Sequence, residues 1–213
     1  MIEHILITKI MSIIIAGIHT GIGKTICSAV ICQALGYDYW KPVQAGDLDN
    51  TDSIFIKRNV ANEHCVVHPE SYKLTIPASP HYAAELDGVE ITPGDIVAPQ
   101  TTNQLVIETA GGVMSPLSNN FLNIDLMAQL NLPAIIVSNN YLGSINHTLL
   151  TVAAMQQRNI PVKGFVFSGK EFASTREFIL QYTKLPLLFS IPPFEKINSG
   201  IIAGFAKTVS IHL

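Results

Sequence analysis

Short apolar runs rich in β-branched residues recur along the chain, and longer stretches with helical spacing lie between them. Runs of four to six such residues, with little polar alternation, suit strands buried on both faces of a parallel sheet. They predict strands over residues 12–16, 105–108, 134–138, 163–168 and 187–191, with 39–41 as a weaker strand. Helices are predicted over 23–35, 52–59, 123–130, 145–158 and 175–183. The stretch 69–102 is richer in Pro and Gly and reads as loop with one or two short helices. This alternation predicts an α/β fold, a doubly wound and mainly parallel sheet with helices on both faces. No repeat, low-complexity tract or linker interrupts it, so residues 1–213 are expected to form one domain. Residues 1–10 would be a loosely held extension, or Met11 the true start.

Between the first strand and first helix stands Gly17-Ile18-His19-Thr20-Gly21-Ile22-Gly23-Lys24-Thr25. Strand, glycine loop and a helix opening on Gly-Lys-Thr form the layout of a phosphate-binding P-loop. Small residues let successive N–H groups turn inward around a polyphosphate, and the helix N-terminus adds partial positive charge. Lys24 would reach the outer phosphates and the Thr25 hydroxyl would sit on Mg²⁺. Gly17 and Gly23 are one residue further apart than in the common pattern.

In doubly wound folds, ligands collect at the carboxyl ends of strands. Lys41 ends the predicted second strand, where a cation could meet an anionic substrate or a developing negative charge. Asn50 or Asp52 reads as a helix cap, and Asp52 could also face a metal. Glu108 closes an apolar strand, where an ionised carboxylate is costly unless paired or metal-bound. The small residues Ala110, Gly111 and Gly112 follow it. Ser144 or Asn146 reads as the cap of the 145–158 helix, whose free N–H groups could hold a carboxylate.

Charge and cysteine content narrow the function. Sixteen acidic against thirteen basic residues give a formal net charge of −3, with no long basic run, which argues against nucleic acid as partner. Cys27, Cys32 and Cys65 have no metal-ligand spacing and read as reduced thiols of a cytoplasmic protein. Residues 126–157 carry no Asp, Glu, Lys or Arg, but Pro133, Gly143 and an Asn/Ser cluster break the run, so no membrane span is expected.

Together these motifs resemble the dethiobiotin synthetase family, ATP-dependent enzymes that close the ureido ring in biotin biosynthesis. The stretched loop Thr20–Thr25, Lys41-Pro42-Val43-Gln44, Asp52, Glu108 with Ala110-Gly111-Gly112, Pro116-Leu117, Leu142 to His147 and Ile191-Pro192 match in order over nearly the whole chain. The resemblance implies ring closure of 7,8-diaminononanoate with CO₂ and ATP, through a carbamate that is phosphorylated. It implies Lys41 and Lys24 as catalytic cations and Thr25, Asp52 and Glu108 around Mg²⁺. ATP would contact Gly21, Ile22, Gly23, Lys24, Thr25, Ile26, Asp52, Glu108, Thr109, Ala110 and Gly111. Its base would meet Ser168, Gly169, Pro192, Pro193 and Phe194. The substrate would meet Thr20, Lys41 and Ala45, and Tyr141, Leu142, Gly143, Ser144 and Asn146 would receive the carboxylate tail across a homodimer interface. The uncharged helix after Ser144 independently suggests a covered face.

Four positions depart from the family pattern. His19 stands where Asp is usual, Ala45 where a hydroxyl is common, Thr109 where Gly is usual and Ser168 where Asn is frequent. Three other readings stay open. A switch ATPase would carry a further lysine early in the loop, where Ile18 and His19 stand. A cobalamin-type amidase would need a glutaminase part. A non-catalytic paralogue would bind nucleotide without turnover.

Overall fold

The computed structural model describes residues 12–211; the question of Met1 or Met11, and residues 1–10, lie outside them. In chain order the elements are β1 (Ile13–Gly17), α1 (Lys24–Leu35), β2 (Asp38–Trp40), β3 (Val43–Ala45), α2 (Asp52–Asn59), β4 (Tyr72–Leu74), α3 (Pro80–Asp87), β5 (Leu105–Glu108), β6 (Pro116–Ser118), β7 (Phe121–Leu122), α4 (Asn123–Leu130), β8 (Ala134–Asn139), α5 (Ser144–Gln157), β9 (Val162–Ser168), α6 (Ala173–Thr183), β10 (Leu187–Ile191) and α7 (Ser199–Ala206). Six strands pair in the order β10-β9-β8-β1-β5-β2, and every pair is parallel. Ile13, Ile14, Ile15 and Ala16 are all buried, as a central strand covered on both faces requires.

The chain leaves β1 in one direction, through α1 to β2, and later travels the other way through α4, α5 and α6. Both journeys are right-handed only if α1 lies on the opposite face from the other three helices. The packing agrees: α2 and α7 lie on α1, and α6 lies on α5. The reversal puts the carboxyl ends of β1, β5 and β8 side by side at the crevice of the sheet.

Local details differ from the pattern-based expectation. The second strand ends at Trp40, so Lys41 lies just beyond it, ahead of Pro42. The cap of α2 is Thr51, whose hydroxyl accepts the Ile54 N–H at 3.1 Å, rather than Asn50 or Asp52. Asp52 is therefore the first helical residue. The cap of α5 is Gly143, at φ 98°, rather than Ser144 or Asn146. The 69–102 stretch holds α3, a 3₁₀ turn at Pro93–Asp95 and the strand β4, which pairs with β3. The β6–β7 hairpin and α7 were not predicted. Among the described residues, no helix is long and apolar enough to cross a membrane.

At the amino end of β2, the buried Asp38 carboxylate ties the sheet edge to the long 60–104 connection. Its Oδ2 accepts from Thr101 Oγ1 at 2.7 Å and pairs with His68 Nε2 at 2.9 Å. Its Oδ1 accepts from Asn103 Nδ2 at 2.9 Å and the Val66 N–H at 3.0 Å. Burial alone would raise this carboxyl; the bonds from His68, Thr101, Val66 and Asn103 outweigh it and hold the pKa below its ordinary 3.8. A depressed carboxyl contributes stability that is present above its ordinary pKa and is lost as pH falls below it. Asp38→Asn is expected to lower stability at neutral pH by about 2 kcal/mol. It should also flatten the loss of stability below about pH 4. Denaturant unfolding at both pH values measures each effect.

Candidate active site

Gly17 closes β1 and Lys24 opens α1, so the nine-residue loop predicted from the sequence bridges a central strand and a helix N-terminus. Gly23 has φ 94°, and a Cβ there would stand 2.4 Å from Ser168 Oγ, so only glycine lets the loop pass the end of β9. Lys24 is buried, and its Nζ donates to the His19 carbonyl at 3.0 Å, folding the side chain back over the loop. Burial pushes the Lys24 pKa down to about 8; Glu108 opposes this and Lys41 adds to it. His19 itself is exposed, with Nδ1 2.8 Å from the Thr20 carbonyl.

Behind the loop, two carboxylates meet one hydroxyl. Thr25 Oγ1 lies 2.5 Å from Asp52 Oδ1 and 2.8 Å from Glu108 Oε1. One hydroxyl has one proton and can donate to only one of them at a time. The other Asp52 oxygen is ion-paired with Lys41 Nζ. Lys41 is itself buried, and burial lowers its pKa while the Glu108 and Glu70 carboxylates oppose the shift. Glu108 is 1% exposed, and its Oε2 accepts from Ser28 Oγ at 2.7 Å and Tyr39 Oη at 3.1 Å. Two carboxylates and a hydroxyl converging beside a helix N-terminus form a donor set suited to a hard divalent cation. Sequence reasoning missed Ser28 and Tyr39. Ser28 was reachable, since it lies one turn beyond Lys24 and Thr25 on α1.

Lys41 and Asp52 also line a cavity of about 510 Å³ with Thr20, Gln44, Ala45, Ala110, Gly111 and Ser115, and residues 77–80 complete its lining. A second cavity of about 490 Å³ shares Thr20, Gly111 and Ser115 and is otherwise largely apolar, with Ile18, Val113, Met114 and Leu150 in its wall. The sheet aligns Asn139, Ser168 and Ile191 at the ends of β8, β9 and β10, and the Gly169 N–H donates to Ile191 O at 2.9 Å. Ser168 stands against Gly23, and Ile191, which leads into Pro192–Phe194, lies beside Ser168 and Gly169. Ile22 is buried beneath the loop and Ile26 is partly buried on α1. Thr109 is buried, with its hydroxyl on the Ile15 carbonyl at 3.3 Å.

One predicted group stays apart from Lys41 within the chain. Tyr141, Leu142 and Gly143 form an exposed loop before α5, with Leu142 fully exposed, and none of them lines the Lys41 cavity. Asn146 faces a different groove, shared with Tyr182 of α6. Ser144 is buried.

Fold and loop define a P-loop ATPase, and a family described as an AAA domain matches residues 11–199. Solved structures agree on the fold: a ParA family ATPase from Chlorobium tepidum (TM-score 0.57, 13% identity, 93% of this chain and 99% of that one) and the cell division ATPase MinD from Pyrococcus furiosus (0.58, 14%, 92% and 97%). Much closer in sequence are ATP-dependent dethiobiotin synthetases. That of Cytophaga hutchinsonii is 46% identical over 90% of this chain and 93% of its own length; that of Chlamydia pneumoniae is 44% identical over 92% and 87%. The chain belongs to the dethiobiotin synthetase family, ATP-dependent ligases of biotin biosynthesis.

Because Lys24 must be charged to meet phosphate, ATP affinity of the free protein should fall as pH rises through about 8. The dissociation constant should climb by up to about tenfold per pH unit above that point. Lys24→Arg, which stays charged, should flatten the rise. Titration calorimetry across the pH range reads both.

Proposed function

We propose that this chain converts 7,8-diaminononanoate, CO₂ and ATP into dethiobiotin, ADP and phosphate. The observation that carries the reading is the continuous chain Lys41–Asp52–Thr25–Glu108, which joins the phosphate loop to the wall of the adjoining cavity. One amine attacks CO₂ and loses a proton, giving a carbamate. A carbamate oxygen then takes the γ-phosphoryl group of ATP. The second amine attacks the carbamoyl carbon and loses a proton, the ring closes and phosphate leaves. The loop N–H groups and Lys24 hold the phosphates, while Lys41 neutralises the carbamate and the oxygens of the transferring group. This is catalysis by position and charge, as phosphoryl transfer demands.

Thr25, Asp52 and Glu108 would hold Mg²⁺, which when bound supplies charge neutralisation of the phosphates. Ser28 and Tyr39 hold one Glu108 oxygen and so aim the other at Thr25. The base of ATP lies against Ser168, Gly169 and residues 192–194. We further propose a cytoplasmic homodimer of single-domain subunits. Its support is the exposed apolar surface of Leu142 and Leu150, the latter on a helix that carries no Asp, Glu, Lys or Arg. Tyr141 to Asn146 would then serve the partner's substrate tail.

ADP release should require the diamine as well as bicarbonate and Mg²⁺, and Lys41→Ala should lower kcat by about 10²- to 10³-fold. Diamine-independent hydrolysis would instead indicate a switch ATPase. Tyr39→Phe, which leaves Glu108 less firmly held, should raise the Mg²⁺ concentration for half-maximal rate by about tenfold. A Mg²⁺ titration of the coupled ADP assay measures that shift.

A further inference from the structure

Two of the cysteines, distant in the chain, meet in the fold. Cys32 lies in α1 and is fully buried; Cys65, in the connection after α2, is half-buried. Residues 61–66 wrap the carboxyl end of α1. Gln33 Oε1 accepts the Ala61 N–H at 2.6 Å, and the Gln33 carbonyl accepts from Asn62 Nδ2 at 3.0 Å. The Asn62 carbonyl in turn accepts the Cys65 N–H at 3.1 Å. Just after Cys65, the Val66 N–H donates to Asp38 Oδ1 at 3.0 Å, and the Val66 carbonyl accepts the Tyr39 N–H at 2.9 Å. Gly36, at φ +70°, lets this segment come close, since a Cβ there would stand 3.1 Å from His64 Cβ. Cys65 is thus held on both sides, and its thiol is in hydrogen-bond contact with that of Cys32. Cys27 lies five residues before Cys32 on α1, on a different face of the helix.

The two thiols are not equivalent. Burial pushes Cys32 well above the ordinary thiol range, so it stays protonated. The hydrogen bond from Cys32 favours the thiolate of Cys65 and lowers its pKa, against the opposing effects of burial and the Asp38 carboxylate. A half-buried sulfur with thiolate character, touching a buried protonated thiol, is the arrangement of an attacking and a resolving cysteine.

We propose that Cys65 reacts with peroxide and that Cys32 resolves the product into a reversible disulfide. The Cys65 thiolate attacks one oxygen of hydrogen peroxide. The O–O bond breaks, the other oxygen takes a proton from solvent and leaves as water, and the sulfur becomes a sulfenic acid. The Cys32 sulfur then attacks the Cys65 sulfur and the S–O bond breaks. The Cys32 proton joins the departing hydroxyl as a second water. Two thiols have given up two electrons and two protons, and peroxide has become two waters. Closure brings the sulfurs from contact to about 2 Å. The movement falls to Cys65, in a connection, rather than to the helix that opens on Lys24 and Thr25. Resolution also keeps Cys65 from passing on to the irreversible sulfinic acid. None of this depends on which substrate the enzyme uses.

The test treats the reduced full chain with hydrogen peroxide, labels the remaining thiols with N-ethylmaleimide under denaturing conditions, and maps the peptides by mass spectrometry. Untreated protein should carry label at Cys27, Cys32 and Cys65. Treated wild type should keep it at Cys27 alone and show a Cys32–Cys65 cross-linked peptide that dithiothreitol reopens. Cys32→Ala should leave a sulfenic acid at Cys65, trapped by dimedone, and should accumulate sulfinic acid there in excess peroxide. Cys65→Ala should keep its label at both remaining cysteines. The wild-type map needs no substitution, so it decides the pairing even where a variant fails to fold. Label retained at Cys65 in treated wild type, a cross-link between any other pair or between chains, or equal sulfinic acid at Cys65 in wild type and Cys32→Ala would overturn the proposal.

Discussion

An ionised carboxylate at the end of a buried strand is tolerated only if its surroundings are built to hold it, and Glu108 is held from three directions. Thr25 and Ser28 come from α1 and Tyr39 from β2, so one carboxylate binds the first helix, the edge strand and β5 together. The position of α1 over the sheet and the aim of the phosphate loop both depend on that arrangement. The topology brings it about. The reversal of chain direction at β1 sets β5 and β1 side by side, with Glu108 paired in register to Ile15, two residues before the loop begins. The carboxylate and the loop are thus fixed relative to one another by ladder hydrogen bonds rather than by flexible connections.

The same crowding explains the state of the two lysines. Lys24 and Lys41 are both buried, and burial disfavours the charge of each; Lys41 adds to that effect on Lys24, while the Glu108 carboxylate opposes it at both. Without ligand, two cations face two anions, and each lysine is tied down, Lys24 by the His19 carbonyl and Lys41 by Asp52. Entry of a polyphosphate gives Lys24 a better partner than a neutral carbonyl. It also surrounds the carboxylates with more negative charge, which strengthens the demand for a cation beside Thr25.

Much of this was legible in the chain. The central strands are β-branched runs with no alternation, and their positions follow from that pattern to within a residue. Position along the chain could name Lys41, Asp52 and Glu108 as strand-end or helix-start residues, but only the family resemblance grouped them, because the meeting of Asp52 with Thr25 depends on Thr51 taking the capping role. Tyr39 carried no signal, since a tyrosine in a half-predicted edge strand reads as core. β3, β4, β6 and β7 are two or three residues long, too short for a period-2 pattern. α7 contains Gly200 and Gly204 and has no polar face to mark it, and its helical form comes from packing on α1.

The departures at Thr109 and Ser168 have different physical meanings. Thr109 spends its hydroxyl on the Ile15 carbonyl and is buried, so its extra bulk lies within the sheet and away from the Lys41 cavity. Ser168 stands against Gly23, where a longer side chain would need to turn outward past the loop. A serine in that place gives one short hydroxyl, able to donate or accept, where a carboxamide would present a donor and an acceptor fixed side by side. A base bound where we propose would be recognised more by the shape of Pro192, Pro193 and Phe194, with Phe194 braced edge-on by Phe205 at 5.5 Å, than by a hydrogen-bond pattern. With the base placed as proposed, tolerance at the base and strictness at the phosphates would be separate properties of the same crevice, because the loop and Glu108 are locked by the sheet while the residues proposed to meet the base follow it.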